Sequence, residues 1–360
     1  MPLYEGIGLI GEKDLHPVVL DIGTAYTKCG FGDETGPRAI IPSRVTVDGH
    51  ERSVFDYRGG DDLYRLLVEL MQKVYFRRLL VNPKDRPVVV VESLLTPSLF
   101  RNVLANVLFR HYEVSSVLLA PSHLMALLPL GLQTGLVLDI GHREAVCIPV
   151  YCGVPVLRSW QALPLGAQAV HSAIRASLTE HGDVTGPGLE PPDVKDVVAT
   201  LSDAVIEDIK MRTVFVTPAE RATREQPAEA LFAADADNLT LATMVLDALL
   251  KCPLDMRRPL AASLVVMGGT AQLPGLKARL LAELRRLVAL PPYSDAMRVD
   301  AIRLHRPPAK DNYLAWLGGA IFGGTDVVLT RSLSREKFLE AGVLPDWCSL
   351  ASGDGASRDL

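Results

Sequence analysis

Two aspartates that follow apolar strands and precede glycines are the residues of this chain best suited to chemistry. Asp21 lies in the run VVLDIG at 18–23, and Asp139 lies in LVLDIG at 136–141. Glycine at a strand end lets backbone N–H groups approach an anion, and a carboxylate beside it holds a hydrated cation. Two such tips facing each other would clamp a magnesium polyphosphate between two similar domains. The alternative is a pair of buried strands whose aspartates only cap turns; the repetition with matching flanks favours the clamp.

The elements that must position these aspartates are hairpins. Each run continues into a second short strand, near 26–31 and 145–150, which is a hairpin pattern. A third strand-to-glycine element, LVVMGGT at 264–270, leads into a helix over 274–288. A helix N-terminus behind paired glycines suits an anion or a nucleotide. The sequence therefore places three glycine-bearing strand ends around one candidate site.

The rest of the chain alternates strands and helices. Val88–Val91 and Val117–Leu119 are continuous apolar runs, typical of buried parallel strands, and a helix is expected over 122–130. Residues 48–62 are polar and glycine-rich, so a loop is expected there, and 217–238 predict a mobile loop or frayed helix. This alternation predicts an α/β fold with a mostly parallel central sheet.

Composition limits the classes of protein. The chain has 360 residues, 48% of them hydrophobic, which is enough for two domains. Its net charge of −5 gives no basic footprint, so nucleic acid is not an expected partner. Five scattered cysteines predict a reduced protein with buried thiols. No signal peptide is expected in residues 1–13, and the apolar stretch 117–132 is too interrupted to cross a bilayer, so a soluble protein is expected.

Taken together, these elements resemble the actin family of the actin, Hsp70 and sugar kinase superfamily, over about residues 18–348. The motifs that carry the resemblance are DIGT with Lys28, DIG at 139–141, MGGT at 267–270 with LPG at 273–275, EDIK at 207–210 and AWLGG at 315–319. Small residues in the last motif also predict close packing of a late helix. The resemblance implies two similar ribonuclease-H-like domains around a nucleotide cleft, with a reduced subdomain 2 and a trimmed subdomain 4.

By the same resemblance the domains are a first actin-like half (1–131), a second half (132–322), a C-terminal return to subdomain 1 (323–348) and a disordered tail (349–360).

The resemblance also implies roles for individual residues. Asp21 and Asp139 would hold the water shell of Mg²⁺, and Lys28 would touch the β-phosphate. The remaining site residues divide into backbone donors to phosphate (Gly23, Thr24, Gly141) and residues that border the adenosine (Lys210, Gly268, Gly269, Thr270). The implied cofactor is ATP or ADP with Mg²⁺, held as a structural ligand.

Departures from the family pattern predict that hydrolysis is slow or absent, so no catalytic residue is assigned. Ser122 stands where actins place the glutamine that helps to position the attacking water, and Val146 stands where they place a histidine. Serine is shorter and valine donates nothing. The segment 142–144 (HRE) adds bulk beside the phosphates, and Met211 and Leu273 replace a glutamate and a tyrosine near the base.

A deletion is the second departure. About 18 residues separate Ser43 from Asp62, far fewer than in actins, and the missing piece is subdomain 2 with the protruding loop that inserts into the neighbouring subunit. A head-to-tail polymer stops growing at a subunit that lacks one of its two faces. Neutral loop loss is the alternative explanation, because surface loops tolerate deletion.

The chain termini, MPLYEG and PDWCSL at 345–350, resemble divergent actin-related proteins at the pointed end of the dynactin filament. That resemblance implies a cytoplasmic, cytoskeletal subunit of the dynein–microtubule transport machinery. Its implied partners are the filament's actin-related protein and actin subunits and the pointed-end accessory subunits.

Other functions stay open. A superfamily kinase or chaperone-type ATPase would need an acceptor base or a substrate domain, and neither is evident in the sequence. An actin-related subunit of a nuclear chromatin complex fits the fold equally well, but no basic import cluster of the usual kind is present.

His123, His142 and His305 are not assigned to a metal. Three pairs of adjacent arginines, at 77–78, 257–258 and 285–286, are interpreted as solvated side chains on helix faces.

Overall fold

The computed structural model describes residues 16–183, 193–218, 226–234, 239–299, 301–342 and 344. Its first sheet has six strands in the order β13-β7-β6-β1-β2-β3. The central strands β1, β6 and β7 are mutually parallel neighbours, whereas β2, β3 and β13 pair antiparallel. The strands of this sheet are β1 Val18–Ile22, β2 Tyr26–Phe31, β3 Ala39–Pro42, β6 Val88–Glu92, β7 Ser116–Pro121 and β13 Leu333–Ser334.

The second sheet repeats the plan of the first. Its order is β10-β9-β8-β12, with β11 paired to β9. Strand β8 forms an antiparallel hairpin with β9 and lies parallel to β12, as β1 does with β2 and β6. Asp21 and Asp139 are thus the penultimate residues of equivalent strands. The strands are β8 Gly135–Ile140, β9 Ala145–Tyr151, β10 Val154–Pro155, β11 Gln161–Leu163 and β12 Leu264–Met267.

The helices cover the faces of both sheets, and the alternating α/β pattern expected from the sequence is confirmed. The mostly parallel central sheet is wrong, because the hairpin partners and edge strands give each sheet more antiparallel than parallel pairs. They are α1 Gly60–Gln72, α2 Ser98–Asn106, α3 Ser122–Met125, α4 Ala167–His181, α5 Val194–Thr200, α6 Asp203–Thr213, α7 Leu241–Lys251, α8 Leu254–Ala261, α9 Leu276–Val288, α10 Tyr293–Met297, α11 Leu314–Gly323, α12 Val327–Arg331 and α13 Arg335–Ala341. Helices α1 and α2 each continue into a π-helical turn, Lys73–Leu79 and Val107–His111.

Three apolar clusters form the core. One lies beneath each sheet, and a third lies between the two sheets around α11. Alternation along β1 explains the division, because Leu20 joins the cluster of the first sheet and Val19 joins the shared one. Trp316 fixes α11 in place by donating from Nε1 to the Val19 carbonyl at 3.0 Å. The shared cluster therefore connects the two halves directly behind the cleft.

The prediction of a loop over 48–62 is wrong for the first part of that range. Residues Arg44–Val47 (β4) and His50–Ser53 (β5) pair antiparallel across a turn at Asp48-Gly49. Both turn residues have positive φ, 52° and 80°, as a two-residue hairpin turn requires. The polar, glycine-rich composition that favoured a loop contained this Asp-Gly hairpin signal.

Other expectations changed in length or packing. The helix expected over 122–130 is α3 followed by a separate 3₁₀ turn, Leu128–Leu130, because Pro129 cannot continue the helix. Within 217–238, the segment Pro227–Leu231 is an ordered 3₁₀ helix with Leu231 fully buried, so the mobile-loop prediction is wrong there. Residues 219–225 and 235–238 lie outside the described residues, as does the predicted tail.

Of the four described cysteines, three confirm the prediction of buried thiols and one contradicts it; Cys348 lies outside the described residues. Cys29, Cys147 and Cys252 are buried, whereas Cys152 is exposed because it occupies a tight turn with Gly153, both at positive φ. None of the helices in the described ranges combines the length and the hydrophobicity that a bilayer-spanning segment needs. The same residues contain no group of three or more histidine, cysteine or acidic side chains placed to hold a metal ion. The domain boundaries stay predictions.

Candidate functional site

A cavity of about 740 Å³ lies between the strand ends of the two sheets. Its volume is in the range of small-molecule and cofactor sites. All ten residues singled out from the sequence line it, although they come from four separate parts of the chain. They are Asp21, Gly23, Thr24, Lys28, Asp139, Gly141, Lys210, Gly268, Gly269 and Thr270. The fold brings them together; their role in binding a nucleotide stays a prediction.

The first hairpin carries an ion pair. Asp21 and Lys28 are directly opposite in the β1–β2 register, and Lys28 Nζ donates to Asp21 Oδ2 at 2.9 Å. The turn is closed by the Gly23 N–H, which donates to the Tyr26 carbonyl. Ser43 Oγ donates to the Gly23 carbonyl at 2.6 Å. The tip of this hairpin is therefore held by its neighbouring strand rather than free.

The second hairpin has the same turn. The Gly141 N–H donates to the Glu144 carbonyl at 2.9 Å, as Gly23 does in the first copy. Thr270 Oγ1 donates to the Gly141 carbonyl at 2.7 Å, which ties this tip to the glycine element after β12. Two of the three sequence motifs are thus joined by a hydrogen bond between residues 129 positions apart.

Asp139 is a carboxylate in the wall of the cavity. The pKa of Asp139 is raised to about 6, mainly because the carboxylate is buried. The Lys28 ammonium opposes this shift, and the charges of Asp21 and Glu144 add to it. Gly268, at φ 102°, passes so close that a Cβ there would lie 2.5 Å from Asp139 Oδ1 and 2.3 Å from the Ile140 carbonyl. Only glycine permits this approach of the backbone.

Lys210 is buried against the cavity wall and is not a free cation. Its Nζ donates to Glu207 Oε2 at 2.7 Å, and the same oxygen accepts from His171 Nε2 at 2.8 Å. Burial alone would raise the pKa of Glu207, but the two hydrogen bonds and the two partners' charges lower it to about 2. The sequence did not indicate His171, which lies 36 positions from Glu207.

Ser122 and Val146, the two positions at which the family resemblance implies a departure, both line the cavity. The fully buried His123 connects them: its Nε2 contacts the Val146 carbonyl at 3.4 Å, and its Nδ1 lies 3.2 Å from Ser122 Oγ. Burial lowers the pKa of His123 to about 4, opposed by the bond to Val146. A carbonyl only accepts, so Nε2 carries the proton and Nδ1 accepts from the Ser122 hydroxyl. Ser122 therefore presents lone pairs, and no free donor, to the cavity.

Glu92 is a cavity residue that the sequence reasoning missed. It ends the parallel strand β6, beside β1, and its Oε1 lies 3.1 Å from Arg101 Nε. Burial raises the pKa of Glu92 to about 7, while the charge and hydrogen bond of Arg101 lower it. An acidic residue directly after four valines was the available signal, since Asp21 likewise follows the apolar residues of the neighbouring strand β1, one register position earlier.

The residues present fit a magnesium nucleotide. The Asp139 carboxylate has no hydrogen-bond donor among the described residues and faces Asp21 across the cavity, which suits a hydrated divalent cation. Glycine backbone at three hairpin or strand ends leaves room for phosphate oxygens. When bound, the cation would supply charge neutralisation between the two carboxylates and the phosphates.

The fold and this cleft define a class of proteins in which two similar sheet-containing halves enclose a ligand between their strand ends. Comparison with known proteins names the family. The actin family model matches residues 62–231 and 212–348, so the chain belongs to the actin family. One relative is actin-related protein 10 of Dictyostelium discoideum, 23% identical over 428 aligned positions that cover 93% of this chain and 90% of the relative.

Proposed function

We propose that this chain is a non-catalytic, actin-like structural subunit that caps the pointed end of the dynactin filament. It links that end to the pointed-end accessory subunits and so supports dynein-driven transport along microtubules. In this proposal the protein works in the cytoplasm as part of the cytoskeleton. Membership of the actin family and similarity to an actin-related protein support the coarser part of the proposal.

One observation carries the capping role. Between β3 and α1, where the family resemblance implies subdomain 2, the chain forms only the short hairpin of β4 and β5. A subunit that keeps the rest of the fold but lacks this projecting piece can dock on a filament end and offer nothing to the next subunit. The polymer then stops at this chain.

A graft tests the capping role. Residues 44–59 would be replaced by the longer subdomain 2 of the filament's own actin-related protein, with a glycine–serine insertion of equal length as control. We expect the native chain and the control to stay at one filament end, and the graft to allow further growth, measured as filament length by electron microscopy. Native chain labelled along the whole filament would contradict the proposal.

We also propose that the cavity holds ATP or ADP with Mg²⁺ as a structural ligand that is not turned over. Ser122 offers no free donor, and Val146 offers no polar side chain, to an attacking water. Nucleotide extracted from the natively purified complex should be stoichiometric and should be lost in Asp139→Ala. ATP turnover at the rate of conventional actin would contradict the non-catalytic proposal, and an empty cavity would contradict the cofactor.

A kinase of the same superfamily is the second candidate, and Glu92 is the observation that favours it. A carboxylate whose pKa is raised to about 7 inside the cavity is suited to act as a general base toward an acceptor hydroxyl. A coupled assay of ADP release with sugars and polyols separates the candidates. Turnover that Glu92→Gln abolishes would favour the kinase, and no turnover with any acceptor would favour the structural subunit.

A further inference from the structure

An exposed apolar pair follows α1 on the outer face of the first half. Phe76 is 52% exposed and Leu80 is 74% exposed, although both belong to a segment that is otherwise well anchored. Tyr75 and Leu79 of the same π-helical turn are buried in the core of the first sheet. Because the turn is fixed from below, the two exposed side chains stand on a rigid base. Preformed anchors of this kind lose little conformational entropy on binding.

The neighbouring helix end extends this surface. The ring of Phe76 lies 6.4 Å from that of Tyr112, and the Tyr112 ring lies 4.8 Å from that of His111. Tyr112 is held in place because its hydroxyl donates to the Val68 carbonyl at 2.7 Å. The ends of the two π-helical turns thus form one continuous surface. We call it the Phe76 surface; its exposed residues are Phe76, Arg77, Arg78, Leu80 and His111, and the buried Tyr112 supports them from below.

The Phe76 surface carries positive charge that the described part of the chain does not neutralise. Arg77 and Arg78 are both exposed, and neither forms an ion pair with a described residue. Glu113, beyond the surface, is already paired with Lys84 and Arg335. Basic residues at a helix C-terminus are favourable in themselves, but the helix dipole does not account for the two apolar side chains beside them.

We propose that the Phe76 surface docks an acidic segment of another protein, with two apolar side chains seated on Phe76 and Leu80 and carboxylates on Arg77 and Arg78. Arginine beside an aromatic anchor is the composition of binding hot spots. Attraction to a lipid surface takes clusters of four to eight basic residues. The Phe76 surface has two arginines, and the exposed Glu69 lies close enough to Tyr112 for its charge to contribute to the raised pKa of that tyrosine. None of the residues of this surface belongs to the β4–β5 hairpin, so docking can be tested apart from capping.

Two double variants and a matched control test the surface. Phe76→Ser with Leu80→Ser removes the anchors, and Arg77→Glu with Arg78→Glu reverses the charge. Leu329→Ser with Arg331→Glu is the control, because Leu329 is 79% exposed and Arg331 is exposed elsewhere on the same half. The probe is a labelled 16-residue amphipathic peptide with leucines at helical spacing on a glutamate background, and its lysine counterpart is the second probe. All residues changed are exposed, so folding is retained.

We expect the acidic peptide to bind the native chain in a salt-dependent manner, at least about tenfold more weakly to either test variant, and unchanged to the control. In assemblies purified from cells, a photo-crosslinking residue at position 80 should join to an acidic segment of another chain. Equal binding of all variants or of both peptides would overturn the proposal. A crosslink to residues 344–360 of the same chain would also overturn the proposal. Binding to phosphatidylserine vesicles that the same variants lose would overturn it as well. Filament length is not expected to change in these variants, so failure here is distinguishable from failure of the capping proposal.

Discussion

At the scale of single residues, adjacent glycines of the MGGT motif have opposite requirements. Gly268 has φ 102°, and a Cβ there would lie 2.3 Å from the Ile140 carbonyl, whereas a Cβ at Gly269 would meet nothing within 4 Å. The sequence singled out both residues as one motif. Only the first needs to be glycine for the fold.

Gly268→Ala should therefore destabilise the protein by about 2–4 kcal/mol, because a positive φ and a clash with backbone coincide. Gly269→Ala, one residue further on, should change the free energy of unfolding by less than about 0.5 kcal/mol. Chemical denaturation of both variants measures the difference. Equal stabilities would show that the approach of Gly268 to Asp139 is not a constraint.

A second residue-scale prediction concerns Glu207. Its pKa is about 2 in the folded protein, below the ordinary 4.5, so the unfolded chain binds the proton more tightly. Its contribution to stability is thus fully present above pH 4.5 and is lost as pH falls towards 2. Glu207→Gln should cost about 2 kcal/mol at pH 5 and clearly less at pH 3.

Urea unfolding of Glu207→Gln between pH 5 and pH 3 gives the measurement. Asp208→Asn is the control, because Asp208 forms only an exposed pair with Arg212 on the same helix and should show little effect at any pH. A cost for Glu207→Gln that stays constant or grows on acidification would contradict the assigned hydrogen bonds to His171 and Lys210.

At the scale of elements, the packing of α11 against α3 decides how the two halves meet. A Cβ at Gly318 would lie 1.8 Å from the Met125 carbonyl, so the helices touch through backbone. The small residues in AWLGG predicted such close packing, and the structure confirms it. The sequence did not indicate that the partner would be α3, because the contact joins residues almost 200 positions apart.

Gly318→Ala should cost at least about 3 kcal/mol, since neither backbone can move without disturbing the core between the sheets. Gly36→Ala, in an open turn with nothing within 4 Å, is the matched control and should be near neutral. Thermal unfolding followed by tryptophan fluorescence reports on Trp316 in the same helix. A melting temperature of Gly318→Ala equal to that of the control would show that the helices separate easily.

At the scale of the whole molecule, one acidic residue connects the two sides of the cleft mouth. Asp203, at the start of α6, accepts from Arg44 Nη2 of β4 at 3.3 Å and from Arg175 Nη2 of α4 at 3.2 Å. The pairs are exposed, so they contribute little to stability. The position of these ion pairs is more informative. Arg44 belongs to the β4–β5 hairpin, at the place where the family resemblance implies a reduced subdomain 2.

Asp203→Ala should change the free energy of unfolding by less than about 1 kcal/mol. It should nevertheless speed hydrogen exchange in β4 and β5 and speed release of a bound nucleotide analogue, because the connection across the cleft is lost. Asp196→Ala, on the neighbouring α5, is the control. Unchanged exchange in the hairpin would show that Arg44 and Asp203 do not hold the cleft.

The sequence by itself determined the class of fold, and its resemblance to a known family identified the ten residues around the cavity. Hairpin signals, apolar parallel strands and repeated strand-end glycines are local patterns, and local patterns are what a sequence records directly. The β4–β5 hairpin was missed only because its Asp-Gly turn was taken for loop composition.

Tertiary structure alone decided the partners within the site. His171 bonds to Glu207, Glu92 lines the cavity, and His123 accepts from the Ser122 hydroxyl. These arrangements exist because sheets and helices that are distant in sequence pack together. The pKa values of these groups also depend on burial, which no spacing of residues encodes. The exposure of Phe76 and Leu80 was also decided by the tertiary structure alone. A helix that ends on the surface looks the same in sequence as one that ends in the core.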